Sequence, residues 1–182
     1  MINSKEMLKE YILADNSWYN EPSFKSKIIG SFLKYHGHEL TKYLYYLRKQ
    51  EYYINTASNK IEVLIGLYYE RKKNKLGLKL GLEIPPNCFG EGLQIYHGNI
   101  VVNPKVKAGV NCKLHGGNCI GNNGKTDEAP VIGDNVDIGF GSILIGDITI
   151  PNNAIIGANA LVNKSFDSNS NIIAGVPAKI IK

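Results

Sequence analysis

Ile132-Gly133-Asp134-Asn135-Val136-Asp137-Ile138-Gly139-Phe140-Gly141-Ser142-Ile143-Leu144-Ile145-Gly146-Asp147-Ile148-Thr149-Ile150 carries an aliphatic residue at every sixth position. The count runs back through Ile120, Leu114, Ala108, Val102, Tyr96 and Ile84, and forward through Ile156 and Val162. A glycine often follows: Gly109, Gly121, Gly133, Gly139 and Gly157. A period of six fits neither an amphipathic helix nor a hairpin. It is the signature of a parallel β-helix, in which three short strands make one triangular coil. The aliphatic residue points inward and a glycine or small polar residue turns the corner. A second apolar column, Ile100, Val106, Cys112, Val136, Ile148 and Ala154, keeps the same register. Residues 82–182 have room for roughly five to six such coils.

Upstream of this the composition changes. Residues 1–80 hold 14 Lys/Arg against 8 Asp/Glu, and residues 81–182 hold 7 against 8. Ten of the eleven tyrosines lie in the first part and fifteen of the nineteen glycines in the second, so two construction principles meet near residue 80. Phe24, Ile28, Ile29, Phe32, Leu33 and Tyr35, then Leu40, Tyr43, Leu44 and Leu47, recur at helical spacing with a break near Gly37. Ile61, Leu64, Ile65, Tyr68 and Tyr69 repeat the pattern. The helical part is expected to cap the open end of the solenoid, whose terminal coil exposes unpaired strand edges. The basic run Arg71-Lys72-Lys73-Asn74-Lys75 suits either a solvated helix end or a lipid-phosphate surface.

No stretch reaches the roughly 18 apolar residues of a membrane span, and the start lacks a signal peptide's apolar core. A cytoplasmic protein is expected. Cys88, Cys112 and Cys119 show no metal-type pairing and read as reduced core thiols.

The hexad count also locates candidate chemistry. Residues 18 apart should stack on adjacent coils, which puts His97 directly beside His115, both outward after the inward Tyr96 and Leu114. A neutral imidazole on a rigid face can take a proton from an attacking hydroxyl near neutral pH. Two imidazoles also suit a metal, but no carboxylate or cysteine shares their column, so none is expected. The polar loop Gly121-Asn122-Asn123-Gly124-Lys125-Thr126-Asp127-Glu128-Ala129-Pro130 interrupts the rhythm and is a candidate wall of a site.

The segment Glu83-Ile84-Pro85-Pro86-Asn87, with Gly90-Glu91-Gly92-Leu93-Gln94-Ile95-Tyr96-His97, resembles the active-site coil of serine acetyltransferases. It is closer to the shorter serine-acetyltransferase-like O-acetyltransferases of bacterial surface polysaccharides. Leu47-Arg48-Lys49-Gln50-Glu51-Tyr52-Tyr53 extends that likeness, and Ala174-Gly175-Val176-Pro177-Ala178-Lys179 matches the closing motif of the wider acyltransferase superfamily. The fold expected is mainly β: a left-handed parallel β-helix of hexapeptide repeats over 81–182, behind an α-helical subdomain over 1–80.

The resemblance implies acetyl-CoA as acyl donor and a homotrimer with sites between neighbouring β-helices. It makes His97 the general base. The family's orienting aspartate aligns with Leu82, so Glu83 is named as its substitute. His115 is assigned to the acceptor or the tetrahedral oxyanion. Gly139, Phe140, Gly157 and Ala158 match the CoA groove, the bulky Phe140 being a departure that is tolerable if the ring turns away. Lys164 and Lys179 are candidates for the CoA phosphates. Where serine acetyltransferases carry an arginine–histidine pair before a proline, this chain has Glu128-Ala129 before Pro130. A carboxylate there opposes an amino acid's carboxylate, so a sugar hydroxyl is ranked first, serine second, and a non-catalytic binding module third. Nucleic acid is not expected as a partner.

Overall fold

The structure, a computed structural model, describes residues 1–19, 30, 32–167 and 172–181. Phe24, Ile28 and Ile29 of the sequence reading lie outside these. Among the described residues the helices bounded in full are α1 (Lys5–Asn16), α2 (His36–Thr56) and α3 (Lys60–Leu80). Ser4 caps α1 by accepting from Met7 N at 3.1 Å. Asn59 caps α3 by accepting from Glu62 N at 3.0 Å, while Glu62 reaches back to Ser58 N at 2.7 Å, a reciprocal cap. The expected break near Gly37 is the start of α2, which begins at His36. Among the described residues no helix is long and apolar enough to cross a membrane.

From Leu82 onward short strands wind into three parallel sheets. The first joins β1 (Leu82–Glu83), β3 (Ile100–Val102), β6 (Cys119–Gly121), β9 (Ile143–Ile145) and β12 (Leu161–Val162). The second joins β4 (Lys107–Ala108), β7 (Val131–Ile132) and β10 (Thr149–Ile150). The third joins β2 (Gln94–Ile95), β5 (Lys113–Leu114), β8 (Asp137–Ile138), β11 (Ile155–Ile156) and β13 (Ile172–Gly175), with β14 (Ala178–Ile180) antiparallel at its edge. This is the left-handed parallel β-helix. Val102, Leu114, Ile120, Ile132, Ile138, Leu144, Ile150, Ile156 and Val162 are all buried, as are Ile100, Val106, Cys112, Val136, Ile148 and Ala154.

The glycines that follow the inward column do not make the left-handed turns. Those belong to Asn99, Gly117, Gly141 and Asn159 at one corner and to Gly92, Asn111, Asn135 and Asn153 at another, all with positive φ. Asparagine tolerates that region and here adds a ladder, Asn111 donating to Asn135 at 3.1 Å and Asn135 to Asn153 at 3.2 Å. Gly139 is needed for closeness instead: a Cβ there would meet Ile156 O at 2.6 Å.

Tyr96 is not inward. Ile95 takes its place, 1% exposed and paired with Leu114, and Tyr96 stands 40% exposed. Phe89 rather than Gly90 pairs with Ala108, so the Pro85–Cys88 turn is one residue short. The corner after Ile95 is one residue long, and Val101 pairs with Cys119 as the six-count requires. Two opposite slips cancel within one coil, which is why the periodicity conceals them.

The helices cap the first coil through one core. Leu40, Tyr43, Leu44, Leu47 and Leu76 share a buried cluster with Leu82 and Ile84. The Tyr43 hydroxyl accepts from Ile84 N at 3.2 Å, and Lys73 Nζ donates to Ile84 O at 3.1 Å. Arg48 is completely buried. It donates to both Asp15 oxygens at 2.8 and 3.2 Å, to Glu51 Oε2 at 2.9 Å, and to the carbonyls of Phe89 at 3.0 Å and Gly90 at 2.6 Å. The two carboxylates also reach the coil, Asp15 accepting from Leu93 N and Glu51 from Asn87 N.

Cys88 and Cys112 are buried as expected, but Cys119 is exposed because its strand position points out of the coil. Burial pushes the Cys88 thiol up to about 11 and the Cys112 thiol up to about 12. Native alkylation at neutral pH should therefore modify Cys119 alone, with denaturant releasing the other two; peptide mass mapping checks this. Both buried thiols keep protons that the unfolded chain gives up near pH 9, so they make stability fall as pH rises from about 9 towards 12.

Candidate active site

The enlarged corner of the first coil carries His97. Tyr96 aligns with His115, their rings 4.7 Å apart between centroids, so His97 aligns with Gly116. The two histidines are thus on adjacent coils and both face outward, but they are offset by one position rather than stacked. The extra residue in the corner is the cause, and it re-aims the side chain as bulges do in sheets.

His97 lies in a column with Gly116, Phe140 and Ala158. Gly116 and its neighbour Gly117 offer no side chain, and the Phe140 ring leans across this gap. Its Cε1 would lie 3.4 Å from a Cβ built at Gly117, and its edge meets the His97 ring at 6.5 Å between centroids. Phe140 therefore does not turn away; the glycines leave it room to lean in. On the other side His36, at the start of α2, stacks on His97 at 5.8 Å with 24° between the planes. Among the described residues no hydrogen bond or ion pair reaches either nitrogen of His97. Glu83 is exposed on the outer face of the first sheet, paired with Val101, and no hydrogen bond or ion pair joins it to His97.

His115 has the carboxylate that the sequence reading did not find. Its Nε2 lies 2.8 Å from Asp137 Oδ1. That approach does not meet hydrogen-bond geometry, so the two groups are close neighbours without a hydrogen bond. The other Asp137 oxygen faces Lys113 Nζ at 3.7 Å, and that ammonium lies 5.0 Å from the Trp18 ring centroid. The next residue, Tyr19, donates its hydroxyl to Ile95 O at 2.7 Å, tying the end of the α1 segment to this wall. Beneath the corner, buried Asn118 accepts from Gly116 N at 3.0 Å and donates to Gly139 O at 2.8 Å and Ser142 Oγ at 3.1 Å. That strut holds the floor rigid.

Gly139 and Gly157 align on successive coils, as do Phe140 and Ala158. Their outer surface is a strip nearly free of side chains apart from the phenyl ring. Lys164 and Lys179 line one shallow hollow of about 220 Å³ with Phe166 and Asp167 at the far end of the solenoid. The loop begins after β6 and ends at buried Ala129 and Pro130, with Glu128 exposed. His36, Trp18 and Asp137 were not singled out from sequence. Asp137 becomes visible once the loop is removed from the count, because the coil that carries it pairs 24 rather than 18 residues on. His36 and Trp18 carry no periodic signal.

A left-handed β-helix with outward imidazoles at one corner defines the structural class, and comparison with known proteins narrows it. No family model matches the chain. Over 106 residues, 56% of its length, it is 39% identical to the serine acetyltransferase of Staphylococcus xylosus, covering 49% of that protein. The solved serine acetyltransferase of Neisseria gonorrhoeae aligns with 97% of this chain and 64% of its own, at TM-score 0.67 and 26% identity. The soybean apoenzyme gives TM-score 0.71 at 21% identity, covering 97% of this chain and 69% of that one, a likeness of fold alone. The chain spans about half the length of the curated relatives it matches. The relatives it matches are named serine acetyltransferases, which does not support the polysaccharide-modifying branch.

Proposed function

We propose that this chain is an acetyl-CoA-dependent O-acetyltransferase in which His97 is the general base and L-serine the acceptor. The observation that carries the reading is the His97 corner: an outward imidazole with unengaged nitrogens, framed by His36 and Phe140, beside a strip without side chains. Such a strip suits a pantetheine arm lying along Gly139, Phe140, Gly157 and Ala158, with Lys164 and Lys179 towards the phosphates.

In the reaction His97 takes the hydroxyl proton as the acceptor oxygen attacks the thioester carbon. The oxyanion then collapses, the C–S bond breaks, and the imidazolium returns the proton to the departing thiolate. His115, one position over on the next coil, is assigned to the acceptor or the oxyanion. A homotrimer places a second β-helix against this groove.

Serine stands first because the relatives are named for it, which reverses the order argued from the loop. The sugar-hydroxyl reading is retained because Glu128, which by the resemblance stands where serine acetyltransferases carry the pair before the proline, is exposed. Thiol release from acetyl-CoA with serine, nucleotide sugars and oligosaccharides tests both. Serine turnover at ordinary enzymic efficiency supports the first reading and sugar turnover replaces it with the second. No release with any acceptor would leave the non-catalytic module.

A further inference from the structure

The outward face of α3 is built in two halves. At spacings of three and four, Ile61, Leu64 and Tyr68 are followed by Arg71, Lys72, Lys75 and Lys79. The apolar members are 71%, 64% and 54% exposed, and Leu78, among the cations, is 89% exposed. A hollow of about 570 Å³ opens beside Val63 and Leu64 at the apolar end. At the other end Lys42 of α2 joins Lys72, Lys75 and Lys79 around a hollow of about 180 Å³, with Glu39 the one carboxylate in its lining. Glu62 is held by Ser58 and does not offset these charges. Tyr68 bridges the halves, with Lys72 Nζ 5.2 Å from its ring centroid.

We infer that this face docks on an anionic phospholipid surface. A helix of 21 residues lies about 31 Å along such a plane. Its apolar half can enter the headgroup boundary while the lysine stems reach outward to phosphates. A second copy fits less well. Parallel pairing sets the cations against their mates, and antiparallel pairing lays Leu64 and Tyr68 on the partner's lysines. The bilayer surface alone offers an apolar layer and negative charge together.

Vesicle flotation of the full chain tests this, with phosphatidylcholine alone and with phosphatidylcholine mixed with phosphatidylglycerol, at low and high salt. The chain should float with the anionic vesicles only, and less so in high salt. Lys72→Glu with Lys75→Glu should weaken that binding on the order of a hundredfold, and Leu64→Gln by about tenfold. Lys5→Glu with Lys9→Glu on α1 should leave it unchanged. Thermal melts matching the parent establish that the variants are folded. Absence of binding to anionic vesicles overturns the inference. So does binding indifferent to Leu64→Gln, which marks a phosphate-only site, or a mass increase by light scattering that Leu64→Gln abolishes, which gives the face to a second copy.

Discussion

His97→Ala should lower kcat/KM for acetyl transfer by roughly 10²–10⁴-fold, the range for loss of a general base, while the melting temperature stays near that of the parent. The separation of the two effects follows from the geometry. His97 is exposed, makes no hydrogen bond among the described residues, and contributes only ring contacts with His36 and Phe140. Removing it leaves no buried group unpaired, so the fold has little to lose. Steady-state kinetics beside thermal melts measure both. His115→Ala is the decisive companion. If His97→Ala retains full activity and His115→Ala does not, the base is the imidazole 2.8 Å from Asp137, and the assignment made above is wrong.

Arg48→Ala should produce the largest loss of stability in the chain. Burial works against the Arg48 charge, but Glu51 and Asp15 more than offset it and hold the guanidinium above its ordinary range. Its removal strands two carboxylates that are only 2% exposed. Breaking a buried charge cluster by deleting one partner costs about 3–5 kcal/mol. For a chain of this size that corresponds to a drop of roughly 6–20 °C in melting temperature. Calorimetry checks the magnitude. Arg48→Met combined with Asp15→Asn and Glu51→Gln should recover part of the loss, because no charge is then left buried alone. A drop under about 2 °C for Arg48→Ala would mean that water reaches the cluster.

Much of this architecture could be read from spacing because a hexad constrains every coil in the same way. Val102, Leu114 and Ile138 had nowhere to go but inward once their neighbours were fixed. The first coil resisted that logic. Its two compensating slips, at Pro85–Cys88 and after Ile95, leave the overall count intact while moving His97 one place relative to His115. Periodicity reports the sum of such shifts and not their parts. His36 approaches the site through helix packing, and Asp137 through an insertion that lengthens one coil. The first route leaves no trace in local pattern, and the second shows only when the loop is taken out of the count. Arg48 lies within a motif that carries the resemblance, and all its hydrogen-bond partners but Glu51 are 33 to 42 residues away.

The 121–130 loop leaves the wall after β6, and strand pairing resumes at Val131 opposite Lys107 as though nothing had intervened. Length and chemistry on that stretch are consequently decoupled from the winding beneath. Glu128 can be exchanged, or the segment grafted from a relative, without re-registering a single rung. Under the proposed function, the segment fastened at Gly121 and Pro130 is where acceptor preference would drift while the imidazole corner stays put.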